Sequence, residues 1–78
     1  MDVEKKFKEI VSDIFDIKPE KIKKDMRFVE DLNAKSVDII ALVAATENEF
    51  GVKTTSYETR KNKTVGEAIK YVKKKLKK

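Results

Sequence analysis

Apolar residues at both ends of this chain return at helical spacing, so each end carries an amphipathic stripe that has to be buried. From the amino terminus they recur at Val3, Phe7, Ile10, Val11 and Ile14, with Lys, Glu and Asp between them. At the other end they recur at Val65, Ala68, Ile69, Val72 and Leu76. Each pattern is one face of an amphipathic helix. Helices of only three or four turns are marginal alone in water, so both must pack on something. Between them, Ser36 to Phe50 is apolar nearly all round its middle, from Ile39 to Ala45. A strand would also accommodate that run, but its length, Leu42 and the alanines favour a helix. Such a helix is either wholly buried or shows a face to a partner. A chain of 78 residues buries only about 60–65% of its unfolded surface, so an outward face is expected.

The punctuation agrees. Asp2 can cap the first helix. The segment IKPEKIKKDMRFVEDLNAK then breaks the periodicity, with Pro19 suited to open one short turn. A connection this long is unusual and often functional. Ile22, Phe28 and Leu32 are its natural anchors to the core. Gly51 fits the stop of the central helix, with Val52 as the accompanying apolar contact. Thr55 with Glu58, and Thr64 with Glu67, read as capping boxes for a short third helix and a longer last one. The expected fold is all-α: a small four-helix bundle, one domain over residues 1–78, with a lysine-rich helix end or tail at 70–78.

Several function classes weaken at once. There is no Cys and no His, which removes thiol chemistry, the usual general base and the commonest metal ligand. No enzyme and no metal site is expected. The apolar run is far short of the roughly 20 residues a membrane helix needs, and MDVEKKFKEI has no signal-peptide core. A cytoplasmic monomer is the expectation. The net charge of +5 is unevenly placed. Outside residues 70–78, which hold six lysines and no acid, 13 basic groups face 14 acidic ones. From Asp25 to Glu49 there are six acids and two bases. A mildly acidic body with a basic end should meet different partners at its two poles.

Residues 28–52, FVEDLNAKSVDIIALVAATENEFGV, resemble the central region of acyl carrier proteins. In that family a loop ending Asp-Leu-Gly-Ala-Asp-Ser-Leu leads into a partner-facing helix that closes with Glu-Glu-Phe. Here Phe28-Val29-Glu30-Asp31-Leu32, Ser36, Asp38 and Glu49-Phe50 fall in register, and the likeness runs ungapped over nearly the whole chain. It implies a bundle of acyl-carrier type. It also implies a 4′-phosphopantetheine arm on Ser36, taken from coenzyme A by a phosphopantetheinyl transferase and carrying acyl groups as thioesters. Acyl-transfer, condensing and tailoring enzymes of fatty-acid or related synthesis are the implied partners. Physically, a phosphodiester at a helix start is favoured by free N–H groups and the helix dipole. The competing account makes Ser36 an ordinary N-cap.

The resemblance also assigns surfaces. Asp31, Lys35, Val37, Asp38, Ile40, Ala41, Glu47 and Glu49 fall on the partner-facing side. Phe28, Ile40, Val43, Thr46, Thr54, Asn62 and Ile69 fall where relatives line or flank an acyl cavity. Departures from the family are specific. Lys35 replaces Asp, and either pairs with the phosphodiester or is simply solvated. Asn33 replaces Gly, and Asn is the residue best able to keep a positive φ there. Thr46, Thr54 and Asn62 replace aliphatic residues, and either make the cavity polar or turn outward. Within the fold, the alternative is a carrier of a specialised polyketide or nonribosomal-type pathway, although the Gly-Gly-His-Ser of peptidyl carriers is missing. From another class, the alternative is a small basic nucleic-acid-binding domain. Only two of the 19 basic residues are Arg, however, and bidentate base readout leans on Arg.

Overall fold

The computed structural model describes residues 2–77. It contains α1 (Val3–Phe15), a single 3-10 turn (Pro19–Lys21), α2 (Ser36–Phe50), α3 (Ser56–Lys61) and α4 (Val65–Lys77). Among the described residues there is no strand; Arg27 and Thr64 make one isolated antiparallel bridge. The Asp2 carboxylate accepts from Lys5 N at 3.1 Å and opens α1. Asp16, at φ 57°, closes it, a stop that no Gly announced. Gly51, at φ 67°, ends α2 as expected. Both threonine caps form, through Glu58 N to Thr55 Oγ1 at 3.0 Å and Glu67 N to Thr64 Oγ1 at 3.1 Å. The boxes do not close as anticipated: Glu67 takes Lys63 N at 2.7 Å, and Glu58 is drawn to Tyr71.

The two amphipathic stripes meet in one core. Phe7 and Val11 from α1 join Leu42 and Phe50 from α2, and Val65, Ala68, Ile69 and Val72 from α4. Leu76 lies beyond this cluster and is exposed, so the last stripe ends a turn early. The basic end is helical through Lys77 rather than a loose tail; Lys78 lies outside the described residues.

The long connection is pinned twice. Ile22, Phe28 and Leu32 are all buried. Its backbone also holds the start of α4: Phe28 N bonds Lys63 O at 3.0 Å, Val65 N bonds Met26 O at 3.0 Å, and Gly66 N bonds Lys24 O at 2.8 Å. A Cβ on Gly66 would stand 3.1 Å from the Lys24 carbonyl oxygen, so a glycine permits this approach. The loop then closes on itself, with Arg27 N donating to the Asp31 carboxylate at 2.7 Å and Ala34 N to Phe28 O at 2.8 Å. Asn33 makes the turn into α2 at φ 56°.

A polar network ties α3 to α4. The Tyr71 hydroxyl lies 2.9 Å from Thr54 Oγ1 and donates to the Glu58 carboxylate. Thr54 Oγ1 is 3.4 Å from Thr59 Oγ1, and Thr54 N donates to Glu47 at 2.9 Å. Burial, and then the Glu58 carboxylate, push the Tyr71 phenol above its ordinary value of 10.0. Among the described residues no buried side-chain polar atom lacks a partner.

Two predictions follow from these local geometries. Asn33→Ala should cost about 1–2 kcal/mol, because Cβ disfavours the left-handed region, whereas Asn33→Gly should cost nothing measurable; urea midpoints decide. Folding raises the Tyr71 pKa, so the stability it contributes is present below pH 10 and is lost as pH rises through the folded-state value. Tyr71→Phe should cost about 1–2 kcal/mol at neutral pH and should remove that alkaline loss. Urea titrations of both proteins across the alkaline range measure the difference.

Candidate functional site

Ser36 is the first residue of α2 rather than its cap. Lys35 holds the cap position with extended backbone. Its N–H donates to the Asp38 carboxylate at 2.9 Å, while the lysine itself has no acceptor to return. The N-cap account of Ser36 therefore falls: its hydroxyl is exposed and free of capping duty. The Arg60 guanidinium lies within bonding range, with Nη2 3.4 Å from Oγ.

Around Ser36 opens a groove of about 420 Å³, walled by Phe28, Ala34 and Ile39 on the apolar side. Lys35, Arg60 and Lys63 stand along it with Glu30. Three cations against one acid, at the amino end of a 15-residue helix, make this a place for an anion. A diester on Ser36 would meet the guanidinium and the free helix N–H groups at once. Arg60 had no sequence signal as a site residue. It lies 24 positions from Ser36, and only the fold of α3 against α2 brings the two together. Among the described residues no cluster of metal-ligating side chains is present, and no helix is long and apolar enough to cross a membrane.

The partner-facing residues divide into two kinds. Val37 and Ile40 are 66% and 58% exposed, and Ala41 lies open with them. The acids are already engaged: Asp31 by Arg27 N, Asp38 by Lys35 N, Glu47 by Thr54 N, and Glu49 by Lys6 at 3.4 Å. Each therefore has a structural duty beside any role in docking.

The residues assigned to a cavity also divide. Thr46, Thr54 and Asn62 all border one small cavity, with Thr59, Tyr71 and an apolar wall of Phe7, Leu42, Ala68 and Val72. Thr46 and Thr54 are buried, whereas Asn62 is half-buried and borders the groove at Ser36 as well. Ile40, by contrast, belongs to the exposed face of α2: it is two positions from Leu42, and such spacing puts the two on opposite sides of a helix. Val43 is half-buried, Ile69 lies in the core without lining this cavity, and Phe28 walls the groove at Ser36 instead. Thr59 and Tyr71 were not anticipated. Tyr71 stands three residues after Ala68 and one before Val72, a spacing that put it beside the stripe.

Comparison with known proteins bears on this geometry. The family model described as the phosphopantetheine attachment site matches residues 5–72. The acyl carrier protein of Buchnera aphidicola is 43% identical over 76 residues, which span 97% of this chain and 96% of that one. The acyl carrier protein of Thermosynechococcus vestitus is 41% identical over 71 residues, 91% of this chain and 88% of that one. The solved structure of the acyl carrier protein from Enterococcus faecalis superposes with a TM-score of 0.78 at 32% identity, covering 94% and 92% of the two chains. Four helices in the same arrangement, matched along nearly their full length, leave one conclusion: this chain belongs to the acyl carrier protein family, phosphopantetheine-bearing carriers that are not enzymes.

Proposed function

We propose that the protein carries acyl groups on a 4′-phosphopantetheine arm joined to Ser36, and hands them to acyl-processing enzymes that dock on α2. The observation that carries this reading is Ser36 itself: an exposed hydroxyl, excused from capping, in a cationic groove beside Arg60. The arm supplies, when bound, the thiol that a chain without cysteine lacks. Ser36 is the nucleophile in its attachment. The hydroxyl gives up its proton, Oγ bonds to the pantetheine-side phosphorus of coenzyme A, and the pyrophosphate link to the nucleotide half breaks. A phosphopantetheinyl transferase must provide the base and metal for that step, since this chain has no histidine.

The residues fit such a diester. Arg60 and the amino end of α2 would offset its charge, and Lys35 and Lys63 stand along the same groove. Asp38 serves by holding Lys35 N, which keeps the first turn of α2 intact. On the outer face of α2, Val37, Ile40 and Ala41 offer a small apolar patch beside Ser36. Asp31, Glu47 and Glu49 border it and can still present an oxygen to a cationic rim on a partner. The nucleic-acid reading gains no support: only two of the 19 basic residues are Arg, and the family model matched is that of a phosphopantetheine attachment site.

Two experiments test the reading. With coenzyme A and a phosphopantetheinyl transferase, intact-mass spectrometry should show one arm on the wild type and none on Ser36→Ala, which stays helical by circular dichroism. An arm that persists on Ser36→Ala would sink the assignment. Loading should also stabilise the wild type by about 0.5–1 kcal/mol at low salt, as an anion at a helix start does. Arg60→Gln should lose roughly half of that gain while its unloaded form keeps wild-type stability. Urea titrations of loaded and unloaded proteins provide the comparison; equal gains in both would remove Arg60 from the site.

A further inference from the structure

Two hollows in this protein share a wall. The groove at Ser36 and the small inner cavity are both lined by Thr59 and Asn62. Those two residues are therefore the partition between the attachment point and the core. The hollows differ sharply in size, about 420 Å³ for the groove and about 10 Å³ for the cavity. The inner one has room for about one water at most.

The chemistry of the partition is polar. Thr59 Oγ1 stands 3.4 Å from Thr54 Oγ1, which in turn meets the Tyr71 hydroxyl at 2.9 Å. The Asn62 amide donates to Glu58 O at 3.3 Å. Beyond them the cavity wall turns apolar, with Phe7, Leu42, Ala68 and Val72. Anything passing from the groove to the interior must part Thr59 from its neighbours and displace Asn62. A hydrocarbon chain lying there has no donor or acceptor to offer in return, and polar groups separated inside a protein stay unpaired at a cost. A few carbons reaching the apolar wall recover some of it. A longer chain holds the partition open along its whole length. A hydroxyl or keto oxygen can take up the bonds that entry breaks.

The geometry points to Thr59 and Asn62 as a polar gate that restricts sheltered cargo to short acyl groups, or to groups bearing a hydroxyl or keto oxygen near the thioester. The inference rests on the carrier reading above and deepens it by naming the class of cargo. Thr59 and Asn62 are specificity-determining rather than catalytic, since they touch cargo only on its way inward.

The test loads the protein from acetyl-, butyryl-, 3-hydroxybutyryl- and octanoyl-coenzyme A, checks each product by intact mass, and measures Tm and the rate of thioester hydrolysis. In an ordinary apolar pocket each buried methylene should raise Tm by about 3–6 °C in a domain of this size. Here Tm should rise from the two-carbon to the four-carbon cargo and then stay level to eight carbons. The 3-hydroxybutyryl form should melt higher and hydrolyse more slowly than the butyryl form. Thr59→Val with Asn62→Leu should let the rise continue to eight carbons and erase the advantage of the hydroxyl; Thr59→Val alone, nearly isosteric, should move in the same direction if the double variant folds poorly. A steady rise through eight carbons in the wild type overturns the gate. So does a level profile that the variants fail to change, or a hydroxyl that confers nothing. A protein that takes no arm fails at the mass measurement, which overturns the carrier reading itself and is distinguishable from every outcome above.

Discussion

The seam between the long loop and the start of α4 is the constraint on which the rest depends. Three backbone bonds join Lys24, Met26 and Phe28 to Lys63, Val65 and Gly66, and the Phe28 ring is buried beneath them, 6.5 Å from Phe15. Each such bond contributes about 1 kcal/mol net, and a buried aromatic of this size roughly 1.5–3 kcal/mol. That is a large share of the stability available to so small a domain. Because the seam fixes Phe28, it fixes the turn through Asn33 that delivers Ser36 to the head of α2. One wall of the attachment groove is thus made of residues whose first duty is to hold the bundle closed.

The same economy runs through the acidic residues. Asp31, Asp38, Glu47 and Glu49 all lie on or beside the face expected to meet partners, and each has an intramolecular bond. Exposed ion pairs contribute little to stability, whereas a carboxylate receiving a backbone N–H at a helix start or turn does more. Neutralising Asp38 would loosen the first turn of α2, and neutralising Glu47 would free the segment leading to α3. Effects of such changes on partner binding would therefore combine lost attraction with a displaced surface. The apolar trio of Val37, Ile40 and Ala41 is free of this ambiguity, since it holds nothing together.

The interior shows a different balance. Thr46, Thr54, Thr59, Asn62 and Tyr71 bring hydroxyls and an amide to a cavity that could have been filled with aliphatic side chains. Thr54, Thr59, Asn62 and Tyr71 are tolerated because they bond to one another or to Glu58. A core stabilised this way has little slack, which accounts for the small size of the cavity and the polar character of its entrance.

Much of this was legible in the residues. The spacing of Val3, Phe7, Ile10 and Val11, and of Val65, Ala68, Ile69 and Val72, determined two helices and the core they share, because burial follows periodicity. Asp2, Gly51, Thr55 and Thr64 determined where helices begin and end, since caps act through backbone groups a few residues away. Asn33 determined its own left-handed turn, and the motif around Ser36 pointed to the family. All of these are local or periodic signals. What only the tertiary structure decided depends on contacts between distant positions. Arg60 reached Ser36 only when α3 packed on α2. The direction of Thr54 was set by Tyr71, 17 positions away on a helix whose facing could not be read from either segment alone. Periodicity tells which side of a helix is buried; which side chains meet there is settled by packing.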